Sequence, residues 1–402
     1  MTEKRRKRRI VYYKNLSSER IIIMKKILRC SKCGEEYNEL PLPSQINGEP
    51  VCLSCYRKYI DSMNSFLYST PKEMFPYEIK AQLDEYVIGQ EAAKRTLSVA
   101  LYQHLFRCTH PELNLSKSNV ILVGPTGCGK TLLVETLAEI AGVPVSINSA
   151  TSLTESGYVG DDVENVLRRL YEDSGMDISL TEYGIVYIDE IDKIARKTGV
   201  NNSITRDVGG EGVQQALLKM IDGADINVPL EGGRKHPNGE NILINTDDIL
   251  FIFSGAFEGL TMGLKEEKSI GFNSVIKRQN SSEVTPEGLI EYGLIPEFVG
   301  RTPIVAQVEQ LDVNALKHIL TEPKGAIIEQ YKQLFNAYNI DLIFTDFAIQ
   351  KIACMAYERN VGARGLRSYV EKLLEPYIFK IKKYKSKKTI IIDVDDLLKI
   401  AA

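Results

Sequence analysis

Between Pro76 and about Val308, short runs of β-branched and aliphatic residues alternate with longer stretches whose apolar positions recur at helical spacing. The runs are Val120 to Val123, Val143 to Ile147, Ile185 to Ile188 and Ile249 to Phe253. They are mostly apolar at successive positions, not at every second one, so both faces of each strand need cover. Strands of that kind separated by helices predict an α/β fold, a parallel sheet with helices on both faces. After Gln310 the pattern becomes helical, over Val313 to Tyr338, Asp346 to Glu358 and Gly365 to Tyr384, and ends on a strand-like Lys388 to Asp393. A smaller, mainly helical C-terminal domain is expected there. No internal repeat and no long low-complexity segment interrupts the chain.

Composition changes this picture little. At 402 residues, with 44% hydrophobic and 26% charged side chains, the chain is of ordinary globular character and long enough for two or three domains. Its net charge of −3 is not that of a nucleic-acid-tracking protein. The one dense basic run, Lys4 to Arg9, reads as a solvated, disordered arm, with a nucleic-acid contact or an organelle address as alternatives and Met24 as a candidate second start. No apolar run approaches the roughly 20 residues of a membrane helix, and Ile21 to Ile23 runs directly into Lys25 and Lys26. The expected location is intracellular and cytoplasmic, or an organelle matrix if the arm is an address.

Seven cysteines are an odd number, and four of them stand in a metal spacing. Cys30 and Cys33 form one Cys-x-x-Cys pair and Cys52 and Cys55 another, with eighteen residues between the pairs, the arrangement of a tetrahedral zinc ribbon. Gly34 suits the left-handed position after the first pair. So short a segment cannot bury a sufficient core unaided, so metal ligation is its expected source of stability. Four thiolates leave no open position for water, which makes this zinc structural. The chain thus divides into a basic arm over 1–27, a zinc-binding domain over 28–68, a large nucleotide-binding domain over 69–309 and a small C-terminal domain over 310–402.

The nucleotide assignment rests on Gly124-Pro125-Thr126-Gly127-Cys128-Gly129-Lys130-Thr131, which follows the apolar run ending at Val123 and opens into the helical Leu132 stretch. Strand, glycine-rich loop and helix in that order form a phosphate-binding loop. Backbone N–H groups surround the phosphates, Lys130 reaches the β and γ oxygens, and the Thr131 hydroxyl can hold magnesium. Ile185 to Ile188 ends on Asp189 and Glu190, so two carboxylates leave the sheet at the edge where that loop sits. Asp189 suits the magnesium, and Glu190 suits the orientation of an attacking water. Ser254, after Ile249 to Phe253, is a candidate sensor of the γ-phosphate. Arg301 and Arg364, taken alone, fit either a surface ion pair or a finger that neutralises charge during phosphoryl transfer.

With these residues in place the chain, from Cys30 to about Tyr384, resembles the ClpX family of AAA+ protein-unfolding ATPases that work with the ClpP peptidase. The likeness extends to Asp84 to Gln90, Leu153 to Asn165, Ser203 to Lys219, Pro296 to Arg301 and Gly362 to Ser368. It implies ATP, magnesium and zinc as cofactors, a homohexamer, and a peptidase as partner. Arg301 becomes a finger acting on the neighbouring subunit, Arg364 a second sensor, and Val87 and Ile88 a contact to adenine. Tyr158 and Val159, between Gly157 and Gly160, match a pore loop that grips polypeptide; Arg234, Lys235 and His236 match a basic loop at the channel mouth; and Arg196 to Arg206 matches a further pore loop. Ile270, Gly271 and Phe272 resemble the tripeptide that docks on the peptidase. Two departures stand out: the family usually carries an acid where this chain has Ser149, and Glu35 to Val51 does not follow its zinc domain. The expected function is ATP-dependent protein unfolding and threading into a ClpP-type peptidase, with no peptidase activity of its own. A stand-alone remodelling chaperone is the alternative, and a nucleic-acid-directed ATPase a weaker one.

Overall fold

The computed structural model of the protein describes residues 27–31, 34, 36–38, 45–46, 49–50, 74–154, 161–195, 210–230, 241–260, 284–381 and 389–394. The chain forms two compact units, residues 1–69 with 175–177 and residues 70–174 with 178–402. In the first, Ile27–Arg29 pairs antiparallel with Glu36–Asn38, and Gln45–Ile46 with Glu49–Pro50. Cys30, directly after the first strand of that ladder, is buried, and Gly34 donates its N–H to the Cys30 carbonyl at 3.0 Å with a φ of +77°. That is the left-handed turn expected after the first cysteine pair. Cys33, Cys52 and Cys55 lie outside the described residues.

The second unit is built on five parallel strands, β1 (Val120–Val123), β2 (Val145–Ser149), β3 (Ile185–Asp189), β4 (Leu250–Gly255) and β5 (Ile304–Gln307), in the order β5-β1-β4-β3-β2. Alternate residues of one strand enter two different apolar clusters. Val120 and Leu122 join Leu83 of α1 (Pro76–Tyr86), Leu97 of α2 (Glu91–Thr109) and Leu133 of α3 (Lys130–Ala141). Ile121 and Val123 join Leu167 of α4 (Asn165–Asp173) and Leu217 of α5 (Glu211–Ile221). The sheet is therefore covered on both sides, which is why its strands carry continuous apolar runs. The sequence reading found four of the five strands. It did not separate β5, a four-residue edge strand whose register with β1 is set by tertiary contact.

On the same side as α1 to α3, the apolar cluster continues into the C-terminal helices, so the expected parallel sheet and helical segment share one core. The helix expected over Val313 to Tyr338 is in fact two, α8 (Val313–Thr321) and α9 (Ile327–Asn336), after the short α6 (Pro286–Tyr292) and α7 (Pro296–Gly300). Pro323 in the connection cannot donate a backbone hydrogen bond and ends the first. α10 (Asp346–Glu358) matches the expected segment, and α11 (Gly362–Phe379) begins three residues before the expected Gly365 and ends at Phe379, short of the expected Tyr384. The C-terminal strand-like run is β7 (Thr389–Ile392), and its parallel partner β6 (Asp341–Phe344) was not read from sequence. Leu342, Phe344, Ile390 and Ile392 alternate inward while their neighbours face solvent, so this small sheet buries one face. No helix among the described residues is long and apolar enough to cross a membrane.

Candidate nucleotide site

The chain leaves the carboxyl end of β1 at Gly124, where an added Cβ would lie 2.4 Å from the Val308 carbonyl oxygen. Pro125 and Thr126 are exposed, Gly127 and Gly129 take φ of +79° and +94°, and α3 starts on Lys130. The unpaired N–H groups of the first turn of α3 thus open onto the loop, where the helix dipole favours an anion. Lys130 is 9% exposed, and its ammonium donates to the carbonyls of Gly124 at 2.7 Å and Pro125 at 2.9 Å. Burial lowers its pKa, and Asp189 nearby works against that lowering. Thr131 and Leu132 follow on α3, the latter exposed. Cys128 is buried in the shared core, where burial raises its thiol pKa and a backbone hydrogen bond at Leu311 works against that rise, and it is a packing residue.

The ends of β1, β2, β3 and β4 meet at one edge, with Ser149 opposite Asp189 and Gly255 opposite Val123 in the ladders. Asp189 Oδ1 accepts the Glu190 N–H at 2.8 Å and the Ser254 hydroxyl. Ser254 Oγ lies 2.7 Å from the Tyr187 hydroxyl, and the Thr131 side chain is near enough to that hydroxyl to work against the rise in its pKa. A row of hydroxyls therefore lies between the two residues expected to hold magnesium. Sequence reasoning placed Ser254 toward the phosphate and missed Tyr187. The available signal was a phenol inside an otherwise aliphatic buried strand, since a buried hydroxyl needs a partner. Tyr187 is fully buried, and burial pushes its pKa up to about 12. Replacing Tyr187 by Phe removes the shared partner of Thr131 and Ser254 at nearly constant volume. Loss of about 1 kcal/mol corresponds to a roughly fivefold rise in the magnesium concentration for half-maximal ATPase. A titration unchanged from the parent would show that the hydroxyl run does not support the metal pair.

Glu190 holds a left-handed backbone, φ +62°, and is exposed. Its Oε2 accepts from the hydroxyls of Ser149 at 2.8 Å and Thr151 at 3.2 Å. The position at which an acid was expected therefore carries a hydrogen-bond donor to Glu190.

Two further segments close on the loop. Ala363 at the start of α11 donates its N–H to the Gly127 carbonyl at 3.0 Å, and Gly362, φ +58°, packs against the same carbonyl. Arg364, on the first turn of α11, is exposed, and its charge is felt at Lys130 and Tyr187. Val87 is buried in the apolar cluster that includes Cys128, with Ile88 half-buried beside it. Gln90 locks this turn to the chain after β5, its side-chain amide exchanging two hydrogen bonds with the Glu309 backbone at 2.9 and 2.8 Å.

Arg301 sits elsewhere. Asn119, just before β1, donates to the Arg301 carbonyl at 2.9 Å, and the Arg301 guanidinium pairs with Asp222 at 2.8 Å. It is fixed at the amino end of β1, while the phosphate-binding loop leaves the carboxyl end, about 13 Å away along a four-residue strand. Tyr158, Val159, Arg234, Lys235, His236, Ile270, Gly271 and Phe272 lie outside the described residues, as do the basic arm and Arg196 to Arg206.

A family model described as the AAA domain (Cdc48 subfamily) matches residues 115–305. A second, the C-terminal D2-small domain of ClpB protein, matches residues 311–389. The chain is also similar to the ATP-dependent Clp protease ATP-binding subunit ClpX of Treponema denticola, 46% identical over 390 residues that cover 91% of this chain and 93% of that one.

Proposed function

The chain belongs to the ClpX family of AAA+ ATPases, and from that premise we propose that it is an ATP-driven protein unfoldase and translocase delivering polypeptide to a ClpP-type peptidase. The observation that carries this reading is the contact between Gly127 and the start of α11. Through it, a shift of the phosphate-binding loop displaces a helix of the C-terminal segment, as a motor requires.

In this reading, loop N–H groups and Lys130 hold the ATP phosphates, with Gly124, Pro125, Thr126, Gly127, Cys128, Gly129 and Leu132 shaping the site and Val87 and Ile88 beside the adenine. Thr131 and Asp189 would hold magnesium; their hard oxygen donors suit it, and bound there it neutralises phosphate charge. Glu190 orients the attacking water, and Arg364 answers the γ-phosphate from within the chain. Arg301, fixed at the far end of β1, serves the site of the next subunit in a homohexamer. Tyr158 and Val159 grip the moving polypeptide and Arg234, Lys235 and His236 draw in its end. Cys30, Cys33, Cys52 and Cys55 hold a structural zinc, for which the four-thiolate set and the turn at Cys30 are suited. The boundaries 69–309 and 310–402 separate the large and small ATPase domains.

Purified chain with ATP and a ClpP-type peptidase is expected to degrade a stable tagged protein. Ile270→Glu combined with Phe272→Ala should abolish degradation while leaving ATP hydrolysis within about twofold, because a buried apolar anchor is lost at the docking contact only. Degradation unaffected by that pair would refute docking through this loop. ATPase activity with no peptidase-coupled degradation by the parent would instead favour a stand-alone remodelling chaperone.

A further inference from the structure

Asn119 is a polar side chain in an apolar place. It stands just before β1 and is 2% exposed, where an amide without partners would be costly. Its Nδ2 donates to the Arg301 carbonyl at 2.9 Å and, more weakly, to the Ile221 carbonyl at 3.5 Å, while its Oδ1 accepts the Phe251 N–H at 3.3 Å. The Asn119 backbone carbonyl accepts from the Ile304 N–H at 3.4 Å. One residue thus ties the start of β1 to β4, to the end of α5 and to the segment between α7 and β5.

The backbone around Arg301 is held from a second side. Thr302, 1% exposed, donates its hydroxyl to the Phe298 carbonyl at 2.9 Å. The Arg301 and Thr302 N–H groups bond back into α7 at 3.2 and 3.1 Å. The Arg301 side chain is held differently. It is 60% exposed, and its Nε pairs with Asp222 Oδ1 at 2.8 Å. Among the described residues its two terminal nitrogens have no partner. An exposed ion pair is weak and screened by salt, so Asp222 can aim the guanidinium but cannot anchor it. The Asn119 carboxamide is buried, and breaking its bond to Arg301 leaves a buried donor unpaired, so the anchor is there. Asp222 directly follows Ile221, so the same carboxamide also sets the acid against the arginine.

Resting on the reading of Arg301 as a finger for the next subunit's site, we infer that Asn119 is a positioning residue for that finger, with Thr302 as the second tether. The two fix the Arg301 backbone at the amino end of β1. Asp222 then takes Nε and leaves the forked end of the guanidinium free for phosphate oxygens.

The test is ATPase of mixed rings of full-length chains. Arg301→Ala subunits keep their own site but offer no finger, whereas Glu190→Gln subunits offer a finger but do not hydrolyse. Mixed in equal amounts they should recover activity that neither has alone. With Asn119→Ala added to the Glu190→Gln subunit, that rescue should fall about tenfold, the scale of a misplaced catalytic group. With Thr302→Val added instead, it should fall about two- to threefold, the scale of a hydrogen bond lost at nearly constant volume. Nucleotide affinity of both doubly substituted subunits should stay within twofold of Glu190→Gln, because Lys130 and its loop lie at the other end of β1. A purely structural role for Asn119 would not confine the loss to the neighbour's site. Undiminished rescue by the Asn119→Ala subunit, or an equal loss of its nucleotide affinity, overturns the inference. If Asn119→Ala prevents assembly, Thr302→Val decides, and undiminished rescue by it overturns the inference. If Glu190→Gln does not rescue Arg301→Ala at all, the reading of Arg301 as a finger fails instead.

Discussion

Glu190→Gln is expected to reduce ATP turnover about 100-fold or more while nucleotide still binds. The amide keeps the size and the left-handed backbone of Glu190, φ +62°, so the edge where β3 meets β2 should keep its shape. What it loses is a carboxylate able to accept a proton from water, a contribution typically of 10² to 10⁴ in rate. The groups that hold phosphate lie in a different segment, with Lys130 bonded to the loop carbonyls of Gly124 and Pro125 and the N–H groups of α3 opening onto the loop. Binding should therefore survive, and the variant should accumulate ATP-bound protein. Single-turnover hydrolysis set against nucleotide affinity measures both quantities. Turnover within tenfold of the parent would show that another residue orients the water.

The second large effect is expected at Gly362. An added Cβ would stand 2.7 Å from the Gly127 carbonyl oxygen and 2.9 Å from its carbonyl carbon, and the local φ is +58°. A β-branched side chain suffers twice. The left-handed backbone costs about 1–2 kcal/mol, and the clash is with backbone, which no rotamer change relieves. Gly362→Val should push the start of α11 away from the phosphate-binding loop, breaking the Ala363 to Gly127 hydrogen bond. Nucleotide affinity should fall at least tenfold, with a lowered melting temperature, because the loop loses the wall that holds its glycines in place. Gly259→Ala is the control, since φ there is +91° with nothing within 4 Å of the added Cβ. It carries the backbone cost without the clash and should leave nucleotide affinity alone. Equal behaviour of the two variants would mean that α11 does not buttress the loop.

The two positions differ in how far they were legible beforehand. Glu190 could be read from its place after a buried strand, and so could the phosphate-binding loop, because strand, loop and helix are adjacent in sequence and their signals are local. The importance of Gly362 to Gly127 could not, since Gly127 follows the first strand of the sheet while Gly362 comes after the last, and the two meet only when the C-terminal helices pack on the same core. Tyr187 shows an intermediate case. Its burial follows from the apolar run, but its link to Thr131 and Ser254 depends on which strands are neighbours, and the order β5-β1-β4-β3-β2 is not a local property.

By itself the sequence determined the elements whose signals are periodic or contiguous: the parallel-sheet strands β1 to β4, α10, the glycine-rich loop, and the acid pair at the end of β3. The tertiary structure decided what depends on distant segments meeting. It split the helix at Pro323, added β5 and β6 at positions of weak periodicity, set Arg301 at the end of β1 remote from its own loop, and turned Ser149 onto Glu190. The physical reason is common to these cases. Hydrophobic period and backbone preference act over a few residues, whereas strand order and hydroxyl pairing are settled by packing among segments that the chain brings together only on folding.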